Sequence, residues 1–76
     1  MNKKEIKLLT EAKELIEQAS AIVDELKCTR ESYADEKSER WIESSTGEDY
    51  VEQTEQLDGL YESIVELSES FDEFIL

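Results

Sequence analysis

"LLTEAKELIEQASAIVDEL", Leu8 to Leu26, repeats apolar side chains at alternating intervals of three and four. With Ala12 as heptad position a, the a residues are Ala12, Ala19, Leu26 and Tyr33. The d residues are Leu8, Leu15, Ile22 and Thr29, and Leu9, Ile16 and Val23 fall at e. Three apolar positions in seven give a stripe as wide as that of a helix buried in a bundle, wider than a two-stranded seam. Upstream, Asn2 with Glu5 three residues on can form a capping box. The spacing therefore predicts a helix over about 3–36.

Downstream, "GEDYVEQTEQLDGLYESIVELSESFDEF" (Gly47 to Phe74) continues the pattern. Tyr50, Leu57, Ile64 and Phe71 occupy a; Leu60, Leu67 and Phe74 occupy d; Tyr61 and Ile75 occupy e. Ser45 with Glu48, or Thr46 with Asp49, supplies the N-cap signature of a second helix over about 47–75. Gln53 and Thr54 thin the stripe near its start, so that end is expected to be the looser one. Gly59 falls at an outer position, where it costs about 1 kcal/mol relative to Ala without opening a core gap.

The heptad fails in "ESYADEKSERWIESSTG", and a linker over about 37–46 follows from that. Trp41 and Ile42 are expected to fold back and close the top of a hairpin. The alternative is a continuous helix to about Glu43 and then a tight turn, which would suit Glu36 and Arg40 at i, i+4. With no Pro and two Gly in 76 residues, turn residues are too scarce for a β topology. The fold class is all-α, a single antiparallel hairpin domain over 1–76. A turn near residue 43 pairs residues whose numbers sum to about 86: Ala12 with Phe74, Leu15 with Phe71, Ala19 with Leu67, Ile22 with Ile64, Leu26 with Leu60. Alanines then meet bulky partners, as a packed seam requires. Leu9, Ile16, Val23, Tyr61 and Ile75 at e would be left partly open. Pairing of two hairpins into a four-helix homodimer, or another protein, would cover them.

Charge is divided as sharply as hydropathy is patterned. The net charge is −13. Residues 1–40 hold all 8 basic residues against 10 acids, while residues 41–76 hold 11 acids and no base. On the second helix Glu48, Glu55, Glu62 and Glu69 stand at f, and Glu52, Glu66 and Glu73 at c. They form an outer ladder rising about 5 Å per step. Two unit charges at that spacing repel by about 0.8 kcal/mol in water, less with physiological screening. An ordinary surface helix intersperses Lys, as the first helix does. A ladder without Lys resembles the regular single-sign array of a nucleic-acid backbone; the plainer reading is a solvated acidic face.

The same charge argues against direct binding to nucleic acid and to anionic membranes, both of which demand Lys and Arg. No apolar run approaches the roughly 18 residues of a span, and no signal-peptide pattern opens the chain. A lone Cys28 forms no internal disulfide, and a reducing cytoplasm is the expected setting. No metal site is expected, since bundle di-iron centres need His and the calcium-loop pattern is missing. No cofactor motif, catalytic base or inward carboxylate pair is present either, so the reading is not an enzyme. Cys28, at c beside Lys27 and Arg30, reads as an incidental surface thiol.

One resemblance can be placed on residues. Ser44, Gly47 and Glu48, followed by Leu57, Leu60, Ile64 and Leu67, resemble the start and heptad of small acidic two-helix proteins encoded by bacteriophages and mobile elements. The Pro-containing linker usual in those proteins is absent here. The resemblance implies a phage or prophage setting and action in the host-cell cytoplasm, where small acidic inhibitors of DNA-processing or defence enzymes are frequent. The expected function is thus a non-enzymatic inhibitor whose acidic helix, as a nucleic-acid mimic, blocks a basic surface of a host DNA- or RNA-processing or defence protein. The alternative is a self-associating hairpin adaptor that binds through its apolar positions.

Overall fold

The computed structural model describes residues 1–75, which form four helices: α1 Lys3–Asp35, α2 Glu39–Glu43, α3 Ser45–Ser70 and α4 Asp72–Ile75. Among the described residues there is no strand. The chain is an antiparallel helical hairpin, a rod of 59 × 15 × 14 Å.

Each of the three longer helices starts where a side chain can take up its free N–H groups. At α1 the capping box is formed: Glu5 N donates to Asn2 Oδ1 at 2.8 Å, and Asn2 N donates to Glu5 Oε1 at 3.5 Å. The first helix ends at Asp35, close to expectation, and does not continue to Glu43. Ser38 then caps α2, accepting from Trp41 N at 3.3 Å. At α3 the cap is Ser44, in place of Ser45 or Thr46. Its Oγ accepts from Gly47 N at 3.1 Å and donates to the Trp41 carbonyl, while Ser44 N donates to the same carbonyl at 3.1 Å. One serine thus ends α2 and begins α3. α3 ends at Ser70 and α4 begins at Asp72, so the expected single helix over 47–75 is two segments separated by Phe71, whose own backbone keeps helical dihedrals.

Gly47 explains how tightly the turn folds. It is buried, and a Cβ there would overlap the Trp41 carbonyl oxygen and lie 2.8 Å from Ile42 Cα. Only a residue without a side chain lets α3 start this close to α2. Gly59, by contrast, has open space around it.

The register follows the sequence closely. Lys13 pairs with Asp72 and Lys27 with Asp58, and the numbers in both pairs add to 85. The rotation of the helices does not follow. The expected d seam faces outward: Leu15 is 65% exposed, Ile22 66%, Leu67 52% and Phe74 57%. The e residues expected to stay open, Leu9, Ile16, Val23, Tyr61 and Ile75, are half-buried instead. So are the b residues Ile6, Lys13, Lys27, Ala34, Val51, Asp58 and Val65. The inter-helix contact is therefore centred on e and b of α1 and on e, flanked by a and b, of α3. No hydrophobic side chain among the described residues is fully buried; Ser68, at e, is the one buried polar residue.

At about 100° per residue, b lies about 60° from e on one side and d about 100° from e on the other. Because the helices run antiparallel, the same rotational sense puts both d rows on one face of the hairpin. Both f rows lie on the opposite face. The molecule is a two-helix ribbon with one apolar and one acidic side.

Candidate functional site

The acidic side is built from the f and c rows. Glu48, Glu55, Glu62 and Glu69, with Glu52, Glu66 and Glu73, are all exposed. They span roughly 37 Å of helix at 1.5 Å per residue. None of the seven takes part in an ion pair among the described residues, where the pairs involve Glu17, Asp58 and Asp72.

The hairpin enlarges this face beyond what α3 supplies. Glu17, Asp24 and Glu31 occupy f on α1, and the fold brings that row alongside the ladder. The heptad frame of α1 contains the signal, but only the antiparallel pairing joins the two rows. Between them run Lys13 and Lys27. Lys13 bonds to Asp72, with Glu17 at 3.8 Å; Lys27 Nζ donates to Asp58 Oδ1 at 2.7 Å. The hydrogen bond to Asp72 holds the Lys13 ammonium above the ordinary lysine pKa, against a smaller desolvation effect, and Asp58 does the same for Lys27. Two lysines are thus committed to two aspartates, and among the described residues no glutamate of the ladder has an ion-pair partner.

A second cluster, unforeseen as a unit, closes the top of the hairpin. Tyr33, Trp41 and Tyr50 form an aromatic triangle with centroid separations of 5.2, 5.5 and 6.0 Å. The Arg30 guanidinium lies 3.8 Å from the centroid of Tyr50 and Lys37 Nζ 4.3 Å from that of Tyr33. Arg30 also donates to Thr54 Oγ1 at 3.0 Å and to the Tyr50 carbonyl and Gln53 Oε1 at 3.1 Å. Trp41 is half-buried, as a cap should be, whereas Ile42 is 39% exposed. Gln53 and Thr54, expected to loosen this end, are the groups Arg30 grips. Lys27 and Arg30 both bond across the hairpin to α3, and the thiol of Cys28 between them in sequence is exposed.

Among the described residues no group of three or more His, Cys, Asp or Glu is placed to hold a metal ion. Among them, too, no helix is long and apolar enough to cross a membrane. The geometry sets a long, regular carboxylate surface on one side and a row of large apolar side chains on the other. Compared with family models, curated proteins and solved structures, the chain matches none.

Proposed function

We propose that this protein is a non-enzymatic binding protein whose acidic face occupies the basic, nucleic-acid-binding surface of a second protein, acting as an inhibitor. One observation carries the reading. Seven glutamates of α3 and α4 are exposed along one helical flank with no ion pair among the described residues, while the nearby lysines go to Asp58 and Asp72. Unpaired like charge disfavours folding, so a regular array kept free of Lys over 36 residues fits docking better than mere solvation. A surface that binds phosphates with Lys and Arg would accept carboxylates through the same charge-assisted hydrogen bonds. The phage or mobile-element setting rests on the resemblance of Ser44, Gly47, Glu48 and the following heptad.

The test is replacement of Glu55, Glu62 and Glu69 by Gln, which keeps helix propensity and leaves both inter-helix ion pairs in place. Proteins captured from bacterial lysate by the wild-type chain should be released by salt and by added duplex DNA. The triple variant should bind them more weakly by several kcal/mol, as for close interfacial charge pairs. Capture that is indifferent to salt, to DNA and to the triple change ends this reading and favours an adaptor docking through the exposed apolar row.

A further inference from the structure

The apolar side of the ribbon is too large and too uniform to stand in water alone. Leu8, Leu15, Ile22 and Leu26 on α1, with Leu60, Leu67 and Phe74 on α3 and α4, are each 47–66% exposed. With Tyr33 they present on the order of 800 Å² of apolar surface, about one partner's share of a standard interface. The largest apolar patch of a typical monomer is roughly 300–600 Å². Meanwhile the hairpin by itself fully buries no hydrophobic side chain among the described residues. The chain as it stands lacks the second layer that would give it a core.

We propose that a second copy of this chain covers this face, giving a homodimeric four-helix bundle in which the a and d rows of both hairpins form the shared core. Charge placement argues for a second copy in spite of the −13 net charge. From Leu8 to Tyr33 and from Tyr50 to Phe74, no a or d position is charged. The g row bordering the apolar face on α3 continues as Gln56, Ser63 and Ser70, all neutral, while the acids of that helix are confined to b, c and f beyond Asp49. Two such faces can therefore close without bringing the ladders together, since each ladder lies on the side away from the interface. An arrangement with both turns at one end sets each α3 over the partner's α1. It opposes small Ala12 and Ala19 to Phe71, Ile64 and Leu67, and it keeps the two most acidic helices diagonal.

This inference stands independently of the inhibitor reading, because it uses the opposite face. Sedimentation equilibrium should give twice the 8.8 kDa of one chain, and the melting temperature should rise with concentration. The double change Leu15→Gln, Ile22→Gln removes two exposed apolar groups per copy and should weaken dimerisation by about a hundredfold or more. A contrasting change, Glu62→Gln on the acidic face, should leave the dimer mass unaltered. If the double change unfolds the chain, the concentration dependence of wild-type melting still decides the matter. To fix the order of the layers, pyrene attached at Ser38→Cys in a Cys28→Ser chain should show excimer emission. A wild-type chain that stays monomeric at high micromolar concentration, with melting independent of concentration, overturns the proposal; a dimer without excimer overturns the order of its layers.

Discussion

The two ends of the hairpin are held by different means. At the closed end, Arg30, Tyr33, Lys37, Trp41 and Tyr50 stack on one another, and Ser38, Ser44 and Gly47 fix the backbone between them. At the open end, Lys13 and Asp72 supply an ion pair between the helices, and α3 has given way to the short α4. The closed end combines aromatic contact, cation–π stacking and multiple hydrogen bonds with a short chain connection. The open end has a solvent-screened ion pair, of the kind worth little, beside the half-buried Ile6, Leu9, Phe71 and Ile75. Polar residues are therefore no sign of looseness here: Gln53 and Thr54 thin the apolar stripe, yet Arg30 of the facing helix hydrogen-bonds both.

Four measurements would break or sharpen that contrast. The largest effect should come from Gly47→Ala. Its Cβ meets backbone atoms, not flexible side-chain ends, so α2 and α3 must separate, at a cost of about 3 kcal/mol. A thermal melt within experimental error of wild type would show that the turn is not held so closely. Next comes Trp41→Ala, which removes one corner of the aromatic triangle and should cost about 2 kcal/mol, less than a fully buried Trp because much of its surface already meets water. Its effect on amide exchange should concentrate in residues 30–54. Uniform loss along the rod would mean that the two ends are not independent.

Gly59→Ala should act in the opposite direction. It has the geometry of an exposed helix interior with nothing nearby, so alanine should stabilise the hairpin by about 1 kcal/mol. An unchanged or lowered melting temperature would contradict this. The pair of glycines thus separates a glycine required by packing from one merely tolerated. The smallest effect is in pH. Because Lys13 and Lys27 have folded pKa values above the ordinary one, their contribution is complete below that ordinary value and is lost as pH rises through the raised values. Stability should fall in the alkaline range beyond about pH 10.4. The measurement is the difference in slope between wild type and a Lys13→Met, Lys27→Met chain. Equal slopes would show that neither ion pair contributes.

The all-α class, the two long helices, the capping box at Asn2, the turn and the register within a residue all follow from local patterns: apolar periodicity, capping side chains and the scarcity of Gly and Pro. The acidic ladder is equally local, since charge at c and f on a long helix has nowhere to go but outward. The rotation of the helices is of another kind. A stripe covering a, d and e is wider than one helix contact can bury, so hydropathy alone leaves open which edge turns inward. Polar contacts across the hairpin settle it: Lys13 and Lys27 at b reach Asp72 and Asp58 at b, and Arg30 at e reaches Thr54 at e and Tyr50 at a, drawing e and b into the contact. That rotation exposes the d rows, Leu8, Leu15, Ile22, Leu60, Leu67 and Phe74, and brings them to one face of the ribbon. Tertiary structure alone decided this, because it depends on which side chains meet across the hairpin, and no single helix contains both partners.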